Sequence, residues 1–299
     1  MRIRKLGSLV DALNDRGYLW FIPDKVWIKY SYKKKMGKKL NLKDPQTFNE
    51  KLQWMKLNYR DPICTRMVDK YEAKQYVAER IGTEYIIPTY GVWDRFEDID
   101  FDSLPDQFVL KCIHDSGGLV ICREKAKLNK EAAKRKIEKC FKRNYFWHGR
   151  EWPYKNVKPR IIAEKYMEDV SSRELVDYKF YCFNGKPEFL YVSTGLENHA
   201  TASISFFDFD FKKMPFYRAD FKQFDEPPKK PEKFAQMIEL AAELSQGFPF
   251  LRVDLYQING QIYFSELTFI PSSGTMPLEP ASADLEMGKL LNLGMIDKA

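Results

Sequence analysis

The spacing of apolar and polar residues changes period repeatedly along the 299-residue chain, and each change predicts an element. Residues 46–80 read as helical. In "PQTFNEKLQWMKLNY", Thr47 is placed to cap, with Glu50 three residues on, a capping box. "DKYEAKQYVAERIG" continues the helical period and closes on Gly82. Short strands are expected at "EYIIPTYGVW" and "DQFVLKCIH", then a small-residue turn in "HDSGGLVIC". Residues 129–141 form a helix with Ala133, Ile137 and Phe141 on one face. Strands follow at "RIIAEKYM", "LVDYKFYCFNGKPEFLYVS" and "ASISFFDFD", a helix over 232–246, and a final hairpin over 252–268. Strands and helices mix without regular βαβ alternation, which predicts α+β architecture.

Composition sharpens this. Hydrophobic residues make up 44% and aromatics 15%, a globular balance. No apolar run approaches the roughly 18–20 residues of a membrane span. Acids interrupt the apolar part of the first 21 residues, so a cleaved signal peptide is not expected. Five cysteines form no CxxC pair and are read as reduced, predicting a cytoplasmic protein. The +7 net charge is local: residues 1–45 hold twelve Lys/Arg against four Asp/Glu, a net +8, so the remainder sums to −1. These lysines interleave with aromatics in "YLWFIPDKVWIKYSYKKKMGKKLNLK". Such a segment suits an anionic membrane surface or an anionic polymer, and equally a solvated helix pair whose aromatics pack inward.

Three stretches carry candidate chemistry. In "RVDLYQINGQIYFSELT", Asp254 and Glu266 occupy interior strand positions on either side of Asn259-Gly260. A two-residue Asn-Gly turn sets Asp254 opposite Ser265 and sends the two acids to opposite faces. A three-residue loop, Ile258-Asn259-Gly260, with a left-handed bulge at Gly260 instead sets Arg252 opposite Glu266, and Arg252, Asp254, Glu266 and Thr268 then share a face. Neighbouring carboxylates repel unless a cation sits between them, and Mg²⁺ is the natural hard cation near phosphates. The bland reading is a surface salt bridge to Arg252. In "FVLKCIHDSGGLVIC", Lys111 ends a strand and Ser116-Gly117-Gly118 follow, a turn whose backbone N–H groups can approach phosphate oxygens. It is neither a Walker loop nor GxGxxG, and an ordinary tight turn explains it as well. In "RIIAEKYMED", the strand ends where backbone could meet a base edge.

The order of these pieces resembles the ATP-grasp superfamily, most closely its teichuronopeptide-biosynthesis (TupA-like) group. The likeness runs from "PDKVWIKYSYKKKMGKKLNLKDPQTFNEKLQWMKL" through Glu266–Phe269 to "MGKLLNL". It implies an ATP-grasp fold in which two α+β subdomains clasp a nucleotide, behind a basic helical N-terminal extension. The implied divisions are 1–82 (extension and Asp-Lys helix), 83–163 (small lid subdomain) and 164–299 (large subdomain with the hairpin). By the resemblance, Lys70 and Lys111 hold the α- and β-phosphates, and Ser116, Gly117 and Gly118 form the lid. Glu164 and the backbone of Lys165 and Met167 meet the adenine, and Glu174 or Asp177 takes the ribose. Asp254, Glu266 and Thr268 bind Mg²⁺, with Thr268 where the family carries asparagine. Arg252 neutralises the transferred phosphoryl group, Lys179 points to the γ-phosphate or acceptor, and "IPSSGTMPL" lies where the acceptor binds.

The implied activity is ATP- and Mg²⁺-dependent amide formation through an acyl phosphate. The expected partners are an amine or amino acid and a uronic-acid glycan of a capsule or cell surface, free or lipid-linked, without nucleic acid. Peripheral membrane contact through the basic N-terminus is part of the expectation. Other classes compete: a glycosyltransferase with Asp208 and Asp210 of "FFDFDF" as its DxD motif, a glycan-binding module with a relic nucleotide site, and an ATP-grasp kinase.

Overall fold

The structure, a computed structural model, describes residues 2–170, 175–195 and 202–296. Its helices are α1 (Arg2–Asp15), α2 (Asp24–Met36), α3 (Phe48–Asn58), α4 (Ile63–Val68), α5 (Glu72–Ile81), α6 (Lys130–Phe141), α7 (Phe146–Gly149), α8 (Phe234–Ser245) and α9 (Ser282–Leu290). Its strands are β1 (Thr89–Trp93), β2 (Phe108–Cys112), β3 (Leu119–Cys122), β4 (Ile161–Lys165), β5 (Asp177–Phe183), β6 (Lys186–Thr194), β7 (Ser203–Phe207), β8 (Tyr217–Arg218), β9 (Phe250–Ile258), β10 (Gln261–Thr268) and β11 (Leu278–Glu279). Among the described residues no helix is long and apolar enough to cross a membrane.

The chain divides into two compact units: residues 1–27, 62–73 and 87–166 form the first, and residues 28–61, 74–86 and 167–299 the second. The expected divisions, at 82/83 and 163/164, follow the chain, whereas these units follow its contacts. The helices of the first 82 residues are shared between the two units. α1 packs with α7 in the first unit, whereas α3 packs with α9 in the second.

The first unit holds an antiparallel sheet in the order β1-β4-β2-β3. Asn129 caps α6 by accepting from the Ala132 N–H at 2.9 Å. Ala133, Ile137 and Cys140 of α6 enter a core with Phe108, Leu110 and Ile161, while Phe141 packs at its margin. Cys140 thus takes the inner position expected of Phe141, at the helical i+3 step from Ile137. Arg150, 2% exposed, donates to Asn14 Oδ1 (2.8 Å), Leu19 O (3.2 Å) and Asp24 Oδ1 (3.0 Å), tying the α1–α2 turn to α7.

The second unit is built on the antiparallel sheet β10-β9-β5-β6-β7. Period-2 alternation gives each strand two faces. Phe180 of β5 meets Phe234 of α8 on one face. Tyr181 and Phe183 of β5 meet Phe48 of α3 on the other. The capping box starts α3 as predicted: Thr47 Oγ1 accepts from Glu50 N–H (3.3 Å), and Glu50 Oε2 accepts from Thr47 N–H (3.2 Å).

Candidate active-site groups

The hairpin β9–β10 answers the register question by a different route. Asn259 and Gly260 both have positive φ (50° and 74°), a two-residue turn. From that turn the pairing runs regularly to Phe264 opposite Leu255, and then slips. Ser265 is the extra residue, a bulge that brings Glu266 opposite Asp254 and Thr268 opposite Arg252. The four polar residues therefore line one face, but the expected three-residue loop is not the reason. A two-residue turn followed by a mid-strand bulge shifts the register by the one residue that matters.

The row extends across the sheet. Lys179 of β5 pairs with Asp254 in register, and Tyr191 of β6 pairs with Lys179. Arg252 grips Asp254 with Nε to Oδ1 and Nη2 to Oδ2, both 2.7 Å. Lys179 Nζ donates to Asp254 Oδ2 at 2.7 Å and also to Asp177. The Nη2 of Arg252 lies 3.5 Å from Glu266 Oε2. A bidentate guanidinium and one ammonium are thus the partners of this wholly buried carboxylate.

Burial works against charge on Lys179 and Arg252, yet their acids hold both well above their ordinary values. Asp177 and then Asp254 raise Lys179, and Asp254 raises Arg252. Burial pushes Asp177 up to about 6, with Asp254 adding to the rise and Lys179 opposing it. An isolated ion pair would lower the acid; here desolvation is the larger effect. Three carboxylates (Asp177, Asp254, Glu266) face two cations (Lys179, Arg252), leaving one negative charge over.

That surplus bears on a metal. Thr268 Oγ1, Asp177 Oδ1 and Ser193 Oγ are buried without hydrogen-bond partners. The Glu266 side chain is 39% exposed. Two cross-strand carboxylates and an unpartnered hydroxyl are hard oxygen donors, and Mg²⁺ typically takes one or two carboxylates and completes its shell with water and phosphate. The residues present fit such an ion. Among the described residues no group of three or more His, Cys, Asp or Glu side chains is placed to hold a metal ion by itself, so a protein-only cage of carboxylates is not what they build.

The first unit carries the other predicted cations. Lys111 Nζ lies 2.5 Å from Glu164 Oε2 on the neighbouring strand, which joins two predicted residues into one pair. Lys70 Nζ donates to the Asp115 carbonyl at 2.7 Å. Arg143 holds the Asp115 carboxylate (Nε to Oδ2 2.5 Å, Nη2 to Oδ1 2.9 Å). Burial opposes ionisation of Asp115, but Arg143 keeps its carboxyl below the usual range.

The following turn needs its glycines for packing as well. A Cβ on Gly117 would come within 2.6 Å of Arg143 Nη2, and one on Gly118 within 2.2 Å of Cys112 Sγ. Ser116 is exposed. His114 is a core imidazole: its Nε2 is 3.2 Å from Cys140 O, its ring packs on Phe141, and burial lowers its pKa. The Lys165 N–H is spent on Pro88 O (2.9 Å). Met167, half-buried, opens the second unit. Glu174 lies outside the described residues. The DxD pair sits on an exposed turn closed by Lys212, whose N–H reaches Asp208 Oδ1 at 2.8 Å and whose Nζ reaches Asp210 at 3.1 Å.

Sequence reasoning missed the polar face of α3. Asn49 exchanges hydrogen bonds with Met276 (Nδ2 to O 2.9 Å; Met276 N–H to Oδ1 2.8 Å). Gln53 donates to Ser273 O (2.9 Å) and Gly274 O (2.6 Å), and Lys56 to Ser273 O (2.8 Å). They hold a turn with three successive left-handed residues, Ser272, Ser273 and Gly274 (φ 50°, 53° and 64°), in which the two serines are strained. The spacing of Asn49, Gln53 and Lys56 at i, i+4 and i+7 is the signal that could have found them.

The second unit thus carries a charged sheet face ending in hairpin carboxylates and the first a lysine–glutamate pair, in an α+β protein. The chain belongs to the TupA-like ATPgrasp family, whose sequence pattern it matches over residues 50–292. No curated protein matches the chain. Similar solved structures include the D-alanine–D-alanine ligase from Bacillus anthracis complexed with ATP (16% identity, TM-score 0.41, covering 77% of this chain and 63% of that one). The chain thus spans less than two thirds of that ligase. The Helicobacter pylori D-alanine–D-alanine ligase (12%, TM-score 0.44, 82% and 69%) and the D-cycloserine synthetase DcsG (16%, TM-score 0.43, 78% and 72%) are also similar.

Proposed function

We propose that this chain is an ATP-dependent carboxylate–amine ligase that amidates a hexuronic acid of a bacterial capsular or cell-surface polysaccharide with an amino acid or small amine. The observation that carries the reading is the charged row Glu266–Asp254–Lys179–Tyr191, which runs from the edge strand β10 across β9, β5 and β6 with one negative charge in surplus. The choice of a uronic acid is supported by the resemblance to the TupA-like group and by the net +8 of residues 1–45, which suits an anionic acceptor.

In the first step the substrate carboxylate attacks the γ-phosphorus of ATP. A carboxyl O–P bond forms as the bridging P–O bond breaks, and ADP leaves. The amine nitrogen then attacks the acyl carbon, loses a proton, and inorganic phosphate departs from the amide. Asp254, Glu266 and Thr268 would hold Mg²⁺, which neutralises phosphate oxygens when bound. Arg252 offsets charge on the transferred phosphoryl group, and Lys179 presents an ammonium kept protonated by Asp177 and Asp254. Lys70 and Lys111 bind the α- and β-phosphates, and Glu164 orients Lys111. Burial of Asp177 beneath Lys179 favours this supporting role for it over ribose binding. The clamped turn Pro271–Gly274 positions the acceptor.

The test is product analysis with a panel of uronic acids and amines. ADP release that requires both an acid and an amine supports the ligase. Release without an amine would make it a kinase, and UDP release from a nucleotide sugar a glycosyltransferase.

A further inference from the structure

Eleven large apolar side chains are exposed among the described residues, and six of them lie between residues 9 and 30. The densest part is the turn joining α1 to α2, where Tyr18, Trp20 and Phe21 are 60%, 72% and 64% exposed. A loose terminal strap would leave aromatics out by accident; this turn is built. Tyr18 N–H bonds Leu13 O (3.0 Å), Trp20 N–H bonds Gly17 O (3.2 Å) and Ile22 N–H bonds Leu19 O (3.1 Å). Arg150 supports it from beneath through Asn14, Leu19 and Asp24. Gly17, at φ 76°, lies so close to Trp147 that a Cβ would meet its Nε1 at 2.8 Å. The polar scaffold thus holds the aromatic tip outward.

The helix that follows continues the surface. Along α2, Trp27, Ile28 and Tyr32 are buried, while Val26, Lys29, Tyr30, Lys33 and Lys34 are exposed at i, i+3, i+4, i+7 and i+8, one helical face. Aromatics with an apolar body and a polar edge, flanked by a row of lysines, match the interface of a bilayer carrying anionic headgroups. The same charges repel a second copy of this face, so self-association is disfavoured.

We propose that the α1–α2 turn and the exposed face of α2 form a docking surface for an anionic lipid bilayer, with Trp20 and Phe21 entering the headgroup region and the lysines meeting lipid phosphates. Such a surface keeps an enzyme beside lipid-linked acceptors, but it stands independently of which acid is activated.

The test is sedimentation of the full-length protein with phosphatidylcholine vesicles, with and without phosphatidylglycerol. The protein is expected on the anionic vesicles alone and to be released by salt. The double variant W20S/F21S weakens binding by about tenfold or more. The triple variant K29Q/K33Q/K34Q abolishes the preference for phosphatidylglycerol, and W20F removes the vesicle-induced change in tryptophan fluorescence. Unchanged melting temperature and unchanged stabilisation by ATP identify each variant as folded. Absence of binding to anionic vesicles overturns the proposal, as does binding that survives loss of either residue set. Retention by a soluble polyuronate in place of vesicles assigns the surface to a glycan and overturns it equally.

Discussion

The two units hold their lysines and arginines in opposite ways. In the five-stranded sheet, Lys179 and Arg252 are buried on central strands and locked to Asp254. In the four-stranded sheet, Lys111 keeps a third of its side chain in solvent, and Lys70 is held by a single backbone carbonyl of a turn. The first arrangement is costly to desolvate and preorganised, suited to charge that appears only during reaction. The second is cheap and adaptable, suited to a nucleotide that must enter and leave. The contrast predicts that changes in the first region damage both fold and chemistry, whereas changes in the second mainly alter ATP affinity.

The largest effect is expected at the row itself. Asp254→Asn should lower ADP-forming turnover by about 10²–10³, measured at saturating substrates. Lys179→Met leaves Asp177 and Asp254 facing each other with one fewer cation, and should cost roughly 3–5 kcal/mol in urea unfolding.

Next comes a pH dependence specific to this unit. Asp177 binds its proton more tightly folded (about 6) than at its ordinary value of 3.8. An acid of this kind stabilises the fold while protonated. Its contribution is full below the unfolded value and is lost as pH rises through the folded one. Wild-type stability should therefore fall between about pH 4 and pH 6 relative to Asp177→Asn, read from unfolding at each pH.

In the first unit, Gly118→Ala forces a methyl against Cys112 and should cost about 1–3 kcal/mol by overpacking. The smallest change is expected from Lys70→Met: about 1–2 kcal/mol of stability, with KM for ATP raised and turnover largely kept. Equal loss of turnover in Lys70→Met and Asp254→Asn would erase the proposed distinction between the units.

What the sequence revealed follows the range of the interactions involved. The capping box is settled by residues a few positions apart and is present as read; the positive-φ Asn-Gly turn is just as local, but it is a two-residue turn and not the three-residue loop expected. The helix over 130–141 is equally local. The bulge at Ser265 is not. Nothing in "FSELT" announces it, because the register of β10 answers to β9, which is itself pinned on its other edge by β5. The shared face of Asp254 and Glu266 was legible from their chemistry; the turn that produces it was misjudged. Tyr191 and Ser193 joined the site only once β6 paired with β5, a partner choice that alternation along one strand does not encode. The helical period of "FNEKLQWMK" was plain, but its buried polar edge has meaning only beside the strained turn more than 200 residues later.

Magnesium-dependent binding of a non-hydrolysable ATP analogue, measured by calorimetry for wild type and Glu266→Gln, is the most direct examination of the charged row. Glu266 is partly exposed, so the variant should fold with an unchanged melting temperature. Magnesium is predicted to tighten nucleotide binding to the wild type by about tenfold or more and to do little for the variant. Equal tightening in both proteins would contradict a role for the hairpin carboxylates in holding the ion.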